Sequence, residues 1–350
     1  MLFNLPFPVK IFSTRGSQDL AKNIYNALKP LINSASKNSL VLGNVIVNEF
    51  SNENLECQVD NVRGHFIVIV HTQVPPVSHG LIELFALIDA IVNSQCSDIL
   101  LVFPYMPYSR SDRKNKPRIS VMSKQLARIL CSSFGIKRTI LLEPHDSHIK
   151  HYFDPTADEI TAIYLIADYL EREFFKLYPR EKTTIVFPDA GSAKRFGKIP
   201  SLLKIPQAYI DKDRPDDQEK PIIKGVIGDI KNRICIIPDD EILTGKTSFE
   251  EAEELKNQGA EKIILIAIHG HLITKDKSEK NIIKKFEDSP LIEKIIITDT
   301  IPFQDKLKDA KKFEVISVVP LLAQAIIRTV CNESLTALYK MENTHLYRSF

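Results

Sequence analysis

The sequence predicts an α/β protein of two similar domains, each with a mainly parallel sheet flanked by helices. Three observations lead to this prediction. The chain has 350 residues, which is too many for one small core. Short apolar runs rich in Ile and Val recur along it, and helix-like segments separate those runs. Because the pattern runs twice, we expect an N-terminal domain over residues 1–160 and a C-terminal domain over residues 161–350.

The apolar runs are predicted strands, since continuous rather than alternating apolar character is typical of parallel strands covered on both faces. They are Phe66–Val70, Ile99–Phe103, Thr139–Leu142, Thr184–Phe187, Ile234–Ile237, Ile263–Ile268 and Ile295–Ile297. Helical periodicity between the runs predicts the helices Leu81–Val92, Val121–Leu130, Ile160–Phe174 and Glu250–Asn257. The last of these is charged and is expected to be exposed. The alternation of strand and helix indicates right-handed crossover connections.

Composition and charge exclude several classes of protein. A hydrophobic fraction of 44% and a charged fraction of 26% are ordinary for a soluble globular protein. The net charge of +2 gives no strong field for nucleic acid or an anionic membrane. Apolar runs stay shorter than the roughly 20 residues that span a bilayer, and no signal peptide is expected. The five cysteines form no CxxC pair, so we expect reduced thiols in a cytosolic protein rather than a zinc site.

Polar residues stand directly after most of the predicted strands. The segments concerned are Pro104-Tyr105, Glu143-Pro144-His145, Pro188-Asp189, Pro238-Asp239-Asp240, His269-Gly270-His271 and Thr298-Asp299. Open parallel sheets bind ligands outside the carboxyl ends of their strands. We therefore expect a binding site at that edge in both halves, or one site that the two domains share.

The stretch Arg233–Thr247 has the clearest chemistry. Its apolar run is expected to end at Asp239 and Asp240, whose carboxylates can accept hydrogen bonds from ribose hydroxyls. The loop that follows suits a phosphate through Thr244, Gly245, Lys246 and Thr247. A nucleotide P-loop, GxxxxGK[ST], is excluded because Asp240 occupies the position of its first glycine.

A second basic motif, Tyr108–Lys114, follows a predicted strand. Arg110 and Arg113 could clamp phosphates through paired guanidinium contacts, and Asp112 could orient one of them. The alternative is a solvated loop.

Three further motifs have both a functional and a structural interpretation. His145 could ligate a divalent metal or bind a phosphate, although lone histidines are usually structural. Asp189 could hold Mg²⁺ or simply cap the helix that begins after it. Lys212 and Arg214 lie in the charged segment Ile210–Lys220, which is expected to be a mobile solvated loop or a loop that closes over a transferring phosphoryl group.

Taken together and in this order, several of these segments resemble the ribose-phosphate diphosphokinase (phosphoribosyl-diphosphate synthetase) family. They are PYMPYSRSDRK, IVFPDAGSAKR, VIGDIKNRICIIPDD, ITDTIPFQDK and LLAQAIIR, and the likeness extends from about Ile11 to Ala337. It implies two phosphoribosyltransferase-like domains, with ATP on the N-terminal side and ribose 5-phosphate on the C-terminal side. The implied reaction transfers the diphosphoryl group of Mg-ATP to O1 of ribose 5-phosphate, with release of AMP.

The resemblance also implies Mg²⁺ as cofactor, a cytoplasmic location, a role in nucleotide biosynthesis and a homo-oligomer, a hexamer in the family, in which a neighbouring subunit completes each active site. By position, Lys212 and Arg214 match the catalytic pair of a flexible loop. His145 and Asp189 match the metal positions. The ATP-binding positions are Phe50, Asn52, Asn54, Arg110, Ser111, Asp112 and His145. The ribose 5-phosphate positions are Asp189, Asp239, Asp240, Thr244, Gly245, Lys246 and Thr247.

The chain departs from the family pattern at both substrate positions. Asn52 and Asn54 replace two carboxylates, and Ser111 replaces a glutamine. Leu243 replaces an aspartate, and Lys246 replaces a glycine that permits positive φ, where a Cβ costs on the order of 1 kcal/mol. Two alternatives to an active diphosphokinase follow. One is a non-catalytic paralogue that assembles with and regulates an active synthetase. The other is a related diphosphotransferase with a different acceptor sugar.

Overall fold

The computed structural model describes residues 2–213, 222–273 and 279–348, and the chain divides into two compact units. The first unit consists of the chain up to Ala162 together with Thr300–Pro302 and the segment from Val318 onward. The second consists of Ile163–Asp299 and Phe303–Ser317. The segment 161–350, predicted as one domain, therefore spans residues of both units.

Each predicted strand is present: β5 has the predicted ends, and the other predicted strands are longer than expected at one or both ends. In chain order they are β1 (Val9–Ser13), β2 (Leu40–Leu42), β3 (Val45–Glu49), β4 (Leu55–Val59), β5 (Phe66–Val70), β6 (Asp98–Phe103), β7 (Arg138–Leu142), β8 (Asp158–Ile160), β9 (Thr183–Phe187), β10 (Gln207–Asp213), β11 (Ile222–Ile227), β12 (Ile234–Ile242), β13 (Lys262–Gly270), β14 (Lys294–Thr298) and β15 (Phe313–Ile316).

The helices connect and cover these strands. They are α1 (Gln18–Leu28), α2 (Val77–Asn93), α3 (Met122–Arg128), α4 (Ile163–Tyr169), α5 (Phe175–Leu177), α6 (Ala190–Phe196), α7 (Lys198–Leu203), α8 (Lys246–Asn257), α9 (Glu279–Asp288) and α10 (Val319–Val330). A π-helical turn, Ile129–Ser133, continues α3, and another, Leu170–Phe174, joins α4 to α5. Among the described residues, no helix combines the length and apolar character that a membrane-spanning segment requires.

The sheet of the first unit has six strands in the order β2-β1-β5-β6-β7-β8, and all neighbouring strands are parallel. Every residue of β5 is buried, as expected for a central strand in a covered parallel sheet. The apolar face of α2 packs on one side through Leu84, Ile88 and Ile91. Strands β3 and β4 form a separate antiparallel hairpin.

The sheet of the second unit has seven strands in the order β11-β10-β9-β12-β13-β14-β15. Only the pairing of β10 with β11 is antiparallel among these strands. The fold class predicted from the sequence, α/β with mainly parallel sheets flanked by helices, is therefore confirmed. The order also makes β12 the central strand, so its carboxyl end lies in the middle of the ligand-binding edge.

The predicted end of β12 is wrong. The strand continues through Asp239 and Asp240 to Ile242, rather than stopping at the acid pair. The reason is that β13 is equally long, so Asp239 pairs with Ala267 and Ile242 pairs with Gly270 in parallel register. Main-chain hydrogen bonds to a neighbouring strand outweigh the low strand preference of aspartate here.

Candidate active site

The acid pair lies in the carboxyl-terminal half of the central strand β12. The main-chain N–H of Asp240 donates to Asp239 Oδ1 at 2.8 Å. Burial raises the pKa of Asp239 well above its ordinary value, and the negative charges of Asp240 and Glu251 raise it further. Ionising two crowded carboxylates is unfavourable until a hydroxyl donor or a cation approaches them. The pair is therefore suited to a polyol ligand, a metal ion or both.

Gly245 determines the shape of the loop that follows. Its φ is 68°, and a Cβ added there would stand 2.4 Å from Cζ of Phe286. Only glycine fits this position. Lys246, in contrast, is the first residue of α8 and is absent from the residues with positive φ. The expectation of backbone strain at Lys246 is therefore wrong, because the residue that needs positive φ is Gly245.

The first turn of α8 has the features of a phosphate-binding site. Gly245 has no side chain with which to cap the helix, so main-chain N–H groups of the first turn are left for another acceptor. Thr244 and Thr247 are exposed beside this turn. Lys246 is also exposed, with Nζ 3.8 Å from Oε1 of Glu250 on the helix surface. Donors, hydroxyls and one ammonium group thus surround the start of α8.

Lys212 is held by a carboxylate of α8. Its Nζ donates to Oε1 of Glu251 at 2.7 Å, and the two side chains are only 13% and 4% exposed. Lys212 lies on β10, beside a register shift at Asp211 and Lys212. The predicted loop beginning at Ile210 is therefore wrong for the described part of that segment. Arg214 lies outside the described residues.

Asp189 has the structural role that its sequence position also allowed. It is the N-cap of α6, and Oδ1 accepts a hydrogen bond from the N–H of Ser192 at 2.9 Å. The hydroxyl of Ser192 donates to the main-chain O of Pro238 at 2.6 Å, which ties α6 to β12. The charge of Asp189 also raises the pKa of Glu251. We call Asp189, Asp239, Asp240 and Glu251 the second-unit acidic group.

Glu251 is not among the residues that the sequence predicts for the site, because the charged composition of its helix indicates an exposed surface. Glu251 is only 3% exposed, and burial raises its pKa while Lys212 opposes that rise. The available signal was helical periodicity, since the buried positions of α8 are Ser248, Glu251, Ala252 and Leu255, a spacing of three and four residues. A glutamate in such a stripe needs a buried cation, and Lys212 supplies it.

In the first unit, the arginine motif forms a turn between β6 and α3. The hydroxyl of Ser111 accepts a hydrogen bond from the N–H of Met122 at 3.1 Å and donates to the main-chain O of Ser120 at 3.3 Å. Ser111 thus anchors the turn to the start of α3. Arg110 is exposed, whereas Asp112 is buried. His145 follows β7, is half-buried, and its main-chain N–H donates to Oγ of Ser109 at 2.8 Å.

The segment Phe50–Asn54 is the tip of the β3–β4 hairpin. All five of its residues are exposed, and Phe50 is 51% exposed. The turn is closed by the N–H of Phe50, which donates to the main-chain O of Asn54 at 2.9 Å, and Oδ1 of Asn52 accepts from the N–H of Asn54 at 3.2 Å. An aromatic ring and two amides at an exposed tip are suited to contact with a base or with another subunit.

The carboxylates of the second-unit acidic group are hard oxygen ligands; the charge of Asp240 raises the pKa of Asp239, and the charge of Asp189 raises that of Glu251. Carboxylate oxygens are the kind of ligand that magnesium prefers, and the ion needs only one or two of them. Of the two residues expected to bind it, Asp189 belongs to the second unit and His145 to the first.

Two family models match the sequence. The N-terminal domain of ribose phosphate pyrophosphokinase matches residues 9–133. The phosphoribosyl synthetase-associated domain matches residues 200–340. Together the two matches cover well over half of the chain.

Named relatives and one solved structure agree with these matches. The chain is 31% identical over 333 residues to ribose-phosphate pyrophosphokinase 1 of Listeria innocua, covering 95% of this chain and 97% of the relative. The ribose-phosphate pyrophosphokinase of Thermotoga maritima is 32% identical, with 95% and 98% covered. The crystal structure of phosphoribosylpyrophosphate synthetase from Mycobacterium smegmatis superposes with a TM-score of 0.79 at 25% identity, covering 93% of this chain and 99% of that one.

Proposed function

Because the chain belongs to the ribose-phosphate pyrophosphokinase family of transferases, we propose that it transfers the diphosphoryl group of Mg-ATP to O1 of ribose 5-phosphate, giving phosphoribosyl diphosphate and AMP. The observation that carries the proposal is the sequence of features along β12 and α8. A crowded pair of carboxylates is followed by a glycine turn and then by an uncapped helix N-terminus. Homo-oligomeric assembly, a hexamer by the family resemblance, and a cytoplasmic location belong to the same proposal.

A single ligand, ribose 5-phosphate, satisfies both the acid pair of β12 and the uncapped N-terminus of α8. Asp239 and Asp240 accept hydrogen bonds from the ribose hydroxyls, which relieves the repulsion that raises the pKa of Asp239. The 5-phosphate accepts hydrogen bonds from the first turn of α8 and from Thr244 and Thr247, in the field of the helix dipole. The ammonium of Lys246 adds a charge that the phosphate can pair with.

In the reaction, O1 of the sugar forms a bond to the β-phosphorus of ATP, and the bond from that phosphorus to the oxygen of the AMP leaving group breaks. Negative charge grows on the leaving oxygen and on the transferring phosphoryl oxygens. Lys212 and Arg214 stabilise that charge. Glu251 holds the ammonium of Lys212 beside the phosphate-binding helix. By the family resemblance, His145 and Asp189 would be magnesium ligands, and the ion would supply positive charge to the ATP phosphates.

On the ATP side, Arg110 binds phosphate oxygens, while Asp112 and Ser111 hold the shape of the turn that presents it. Phe50 stacks on the adenine bound by a neighbouring subunit, because its ring is exposed at the end of a hairpin. Asn52 and Asn54 can each donate and accept a hydrogen bond at the adenine edge. The amides therefore keep contact with the base and change the selectivity for it.

The second candidate is a non-catalytic paralogue that regulates an active synthetase, and Leu243 is the observation that favours it. Its main-chain O accepts a hydrogen bond from the N–H of Ile273 at 2.9 Å, but its side chain cannot accept one from a ribose hydroxyl. A loop with one acceptor fewer holds the sugar less tightly. If the chain lacks the activity, Leu243 is the position at which the sugar site is weakest.

The deciding experiment incubates the pure protein with Mg-ATP and ribose 5-phosphate and follows the release of AMP. We expect AMP and phosphoribosyl diphosphate in equal amounts, with none in the control without sugar. Absence of AMP above that control rules out the enzyme. The mixture is then repeated with an active homologue, and a change in the homologue's rate identifies the regulatory paralogue. Replacing ribose 5-phosphate with other sugar phosphates tests for a different acceptor.

A further inference from the structure

Three potential metal ligands of the first unit meet at one place. One ligand atom each from Asp112, Asp146 and His148 lies within 4.8 Å of the others. Asp112 comes from the turn after β6, and Asp146 and His148 come from the segment after β7. Because β6 and β7 are parallel neighbours, their carboxyl ends bring these side chains together. Of the three, only Asp112 is also assigned to ATP binding in the proposed function.

The imidazole of His148 has a carboxylate on each side. Its Nδ1 lies 2.9 Å from Oδ1 of Asp146, a good distance for an N–H donating to a carboxylate. Its Nε2 lies 3.5 Å from Oδ2 of Asp112. A ring that is protonated at Nδ1 presents a lone pair at Nε2, so in the neutral ring a lone pair faces a second carboxylate. A cation between these two atoms removes the repulsion.

Asp112 is the buried member of the group. It is only 3% exposed, and its Oδ2 has no hydrogen-bond partner in the described part of the chain. The nearby guanidinium of Arg113 approaches the other oxygen, with Nε 3.8 Å from Oδ1. A buried carboxylate oxygen without a donor is costly, because it has given up water without replacement. This oxygen points at Nε2 of His148.

The separation of these two atoms matches shared coordination better than a hydrogen bond. At 3.5 Å they stand beyond the usual range for a hydrogen bond from nitrogen to oxygen. Two ligands with metal bonds of about 2.1 Å in tetrahedral geometry are about 3.4 Å apart. The main-chain O of Asp112 accepts a hydrogen bond from the hydroxyl of Tyr152 and is within hydrogen-bond distance, 3.3 Å, of the same Nε2 when that nitrogen carries a proton; with a metal ion on Nε2, this oxygen would be a third ligand atom.

We propose that Asp112 Oδ2 and His148 Nε2 bind a divalent transition-metal ion, and that Asp146 orients the imidazole. Carboxylates that accept from the second ring nitrogen of a metal-bound histidine are a recurrent device, and they fix the tautomer. A mixed nitrogen and oxygen ligand set suits Zn²⁺, Co²⁺ or Mn²⁺ better than Mg²⁺, which prefers oxygen. The site is independent of whether the chain turns over ribose 5-phosphate.

The test measures metal binding alone, without ATP or sugar phosphate. The chelator-treated protein is titrated with Co²⁺, followed by its visible absorption and by equilibrium dialysis. We expect His148→Gln to bind one Co²⁺ ion fewer per chain than the wild type. We expect Asp146→Asn to lower the affinity for that ion by about 10- to 100-fold. The matched control is His151→Gln, an exposed histidine on the same short 3₁₀ segment, Ser147–Tyr152, and it should titrate like the wild type.

The competing account is a doubly protonated His148 that bridges two carboxylates without a metal. It predicts equal Co²⁺ binding in the wild type and His148→Gln, and that result overturns the proposal. Thermal melts by circular dichroism show whether each variant is folded. If His148→Gln does not fold, Asp146→Asn decides, because it keeps both proposed ligands. An unchanged Co²⁺ affinity in folded Asp146→Asn contradicts the orienting role, and with it the proposed geometry.

Discussion

The two units hold their acidic residues in opposite electrostatic settings. In the first unit, Asp112 and Asp146 face the two nitrogens of one imidazole. In the second, Asp239 faces the charges of Asp240 and Glu251, and its pKa rises. The first arrangement places an imidazole between its carboxylates, whereas the second places carboxylates beside one another, an excess of negative charge that raises the pKa of Asp239. The difference indicates that the second-unit acidic group is completed by something that binds to it.

Replacing Lys212, which pairs with one carboxylate of the second-unit acidic group, is expected to have the largest effect on activity and stability. In Lys212→Ala we expect kcat to fall by about 10²- to 10³-fold with little change in KM, because the ammonium acts on charge that forms in the transition state. Stability should also fall by about 3–5 kcal/mol, since Glu251 is left buried without its cation. Steady-state kinetics and chemical denaturation measure the two effects separately.

A double variant separates catalysis from folding at the same pair. Lys212→Met with Glu251→Gln removes both charges, so stability should return toward the wild type while kcat stays low. Recovery of kcat in the double variant would show that Lys212 acts only as a structural partner of Glu251. A rise in KM with unchanged kcat in Lys212→Ala would remove Lys212 from the catalytic assignment.

Gly245 tests whether the loop beside the second-unit acidic group is as constrained as its geometry indicates. Gly245→Ala should lower the free energy of unfolding by about 1–3 kcal/mol, because the added Cβ meets the ring of Phe286 in addition to the positive φ. The matched control is Gly64→Ala in the first unit, where φ is 72° and nothing lies within 4 Å. The control isolates the backbone cost, so equal losses in both variants would argue against the steric account.

The sequence was sufficient for most of the covered strands, but it did not indicate β1, which is buried from Val9 to Phe12, or the less apolar strands. Strand β5 is buried throughout, and its composition alone identifies it. Strand β10 contains Asp211, Lys212 and Asp213, which locally favour a loop. It forms because β9 and β11 pair with it on both sides, and such non-local pairing leaves no periodic signal in the segment.

The same limit applies to the candidate site. Asp239 and Asp240 stand out because two acids end an apolar run, and the phosphate loop stands out by its small residues. The partner of Lys212 does not, because Glu251 comes 39 residues later on a different element. The residue with positive φ is Gly245, one position before the one predicted, and only the backbone angle of 68° in the structure shows this.

Leu243 is the position at which a hydrogen-bond acceptor for the ribose can be added to the second unit. Leu243→Asp should lower the KM for ribose 5-phosphate by about tenfold, because one hydrogen bond to a charged acceptor contributes about 1.5 kcal/mol. Leu243→Asn is the control of similar size with a neutral acceptor, and a smaller gain is expected from it. An unchanged KM in both variants would mean that the loop no longer follows the family geometry.

The smallest expected effect is on the pH dependence of stability, which can be compared between the two units. The folded state holds the proton of Asp239 to a higher pH than the unfolded state, whose aspartate keeps a pKa near 3.8. Between those two pKa values the folded protein binds more protons, so its stability falls as pH rises through that window and stays reduced above it.

Asp240→Asn removes one repelling charge, and near neutral pH it should stabilise the protein by on the order of 1 kcal/mol. Asp146→Asn in the first unit removes an attraction instead, so it should destabilise. Denaturant titrations from pH 4 to pH 8 measure both signs, and equal signs for the two variants would refute the contrast between the units.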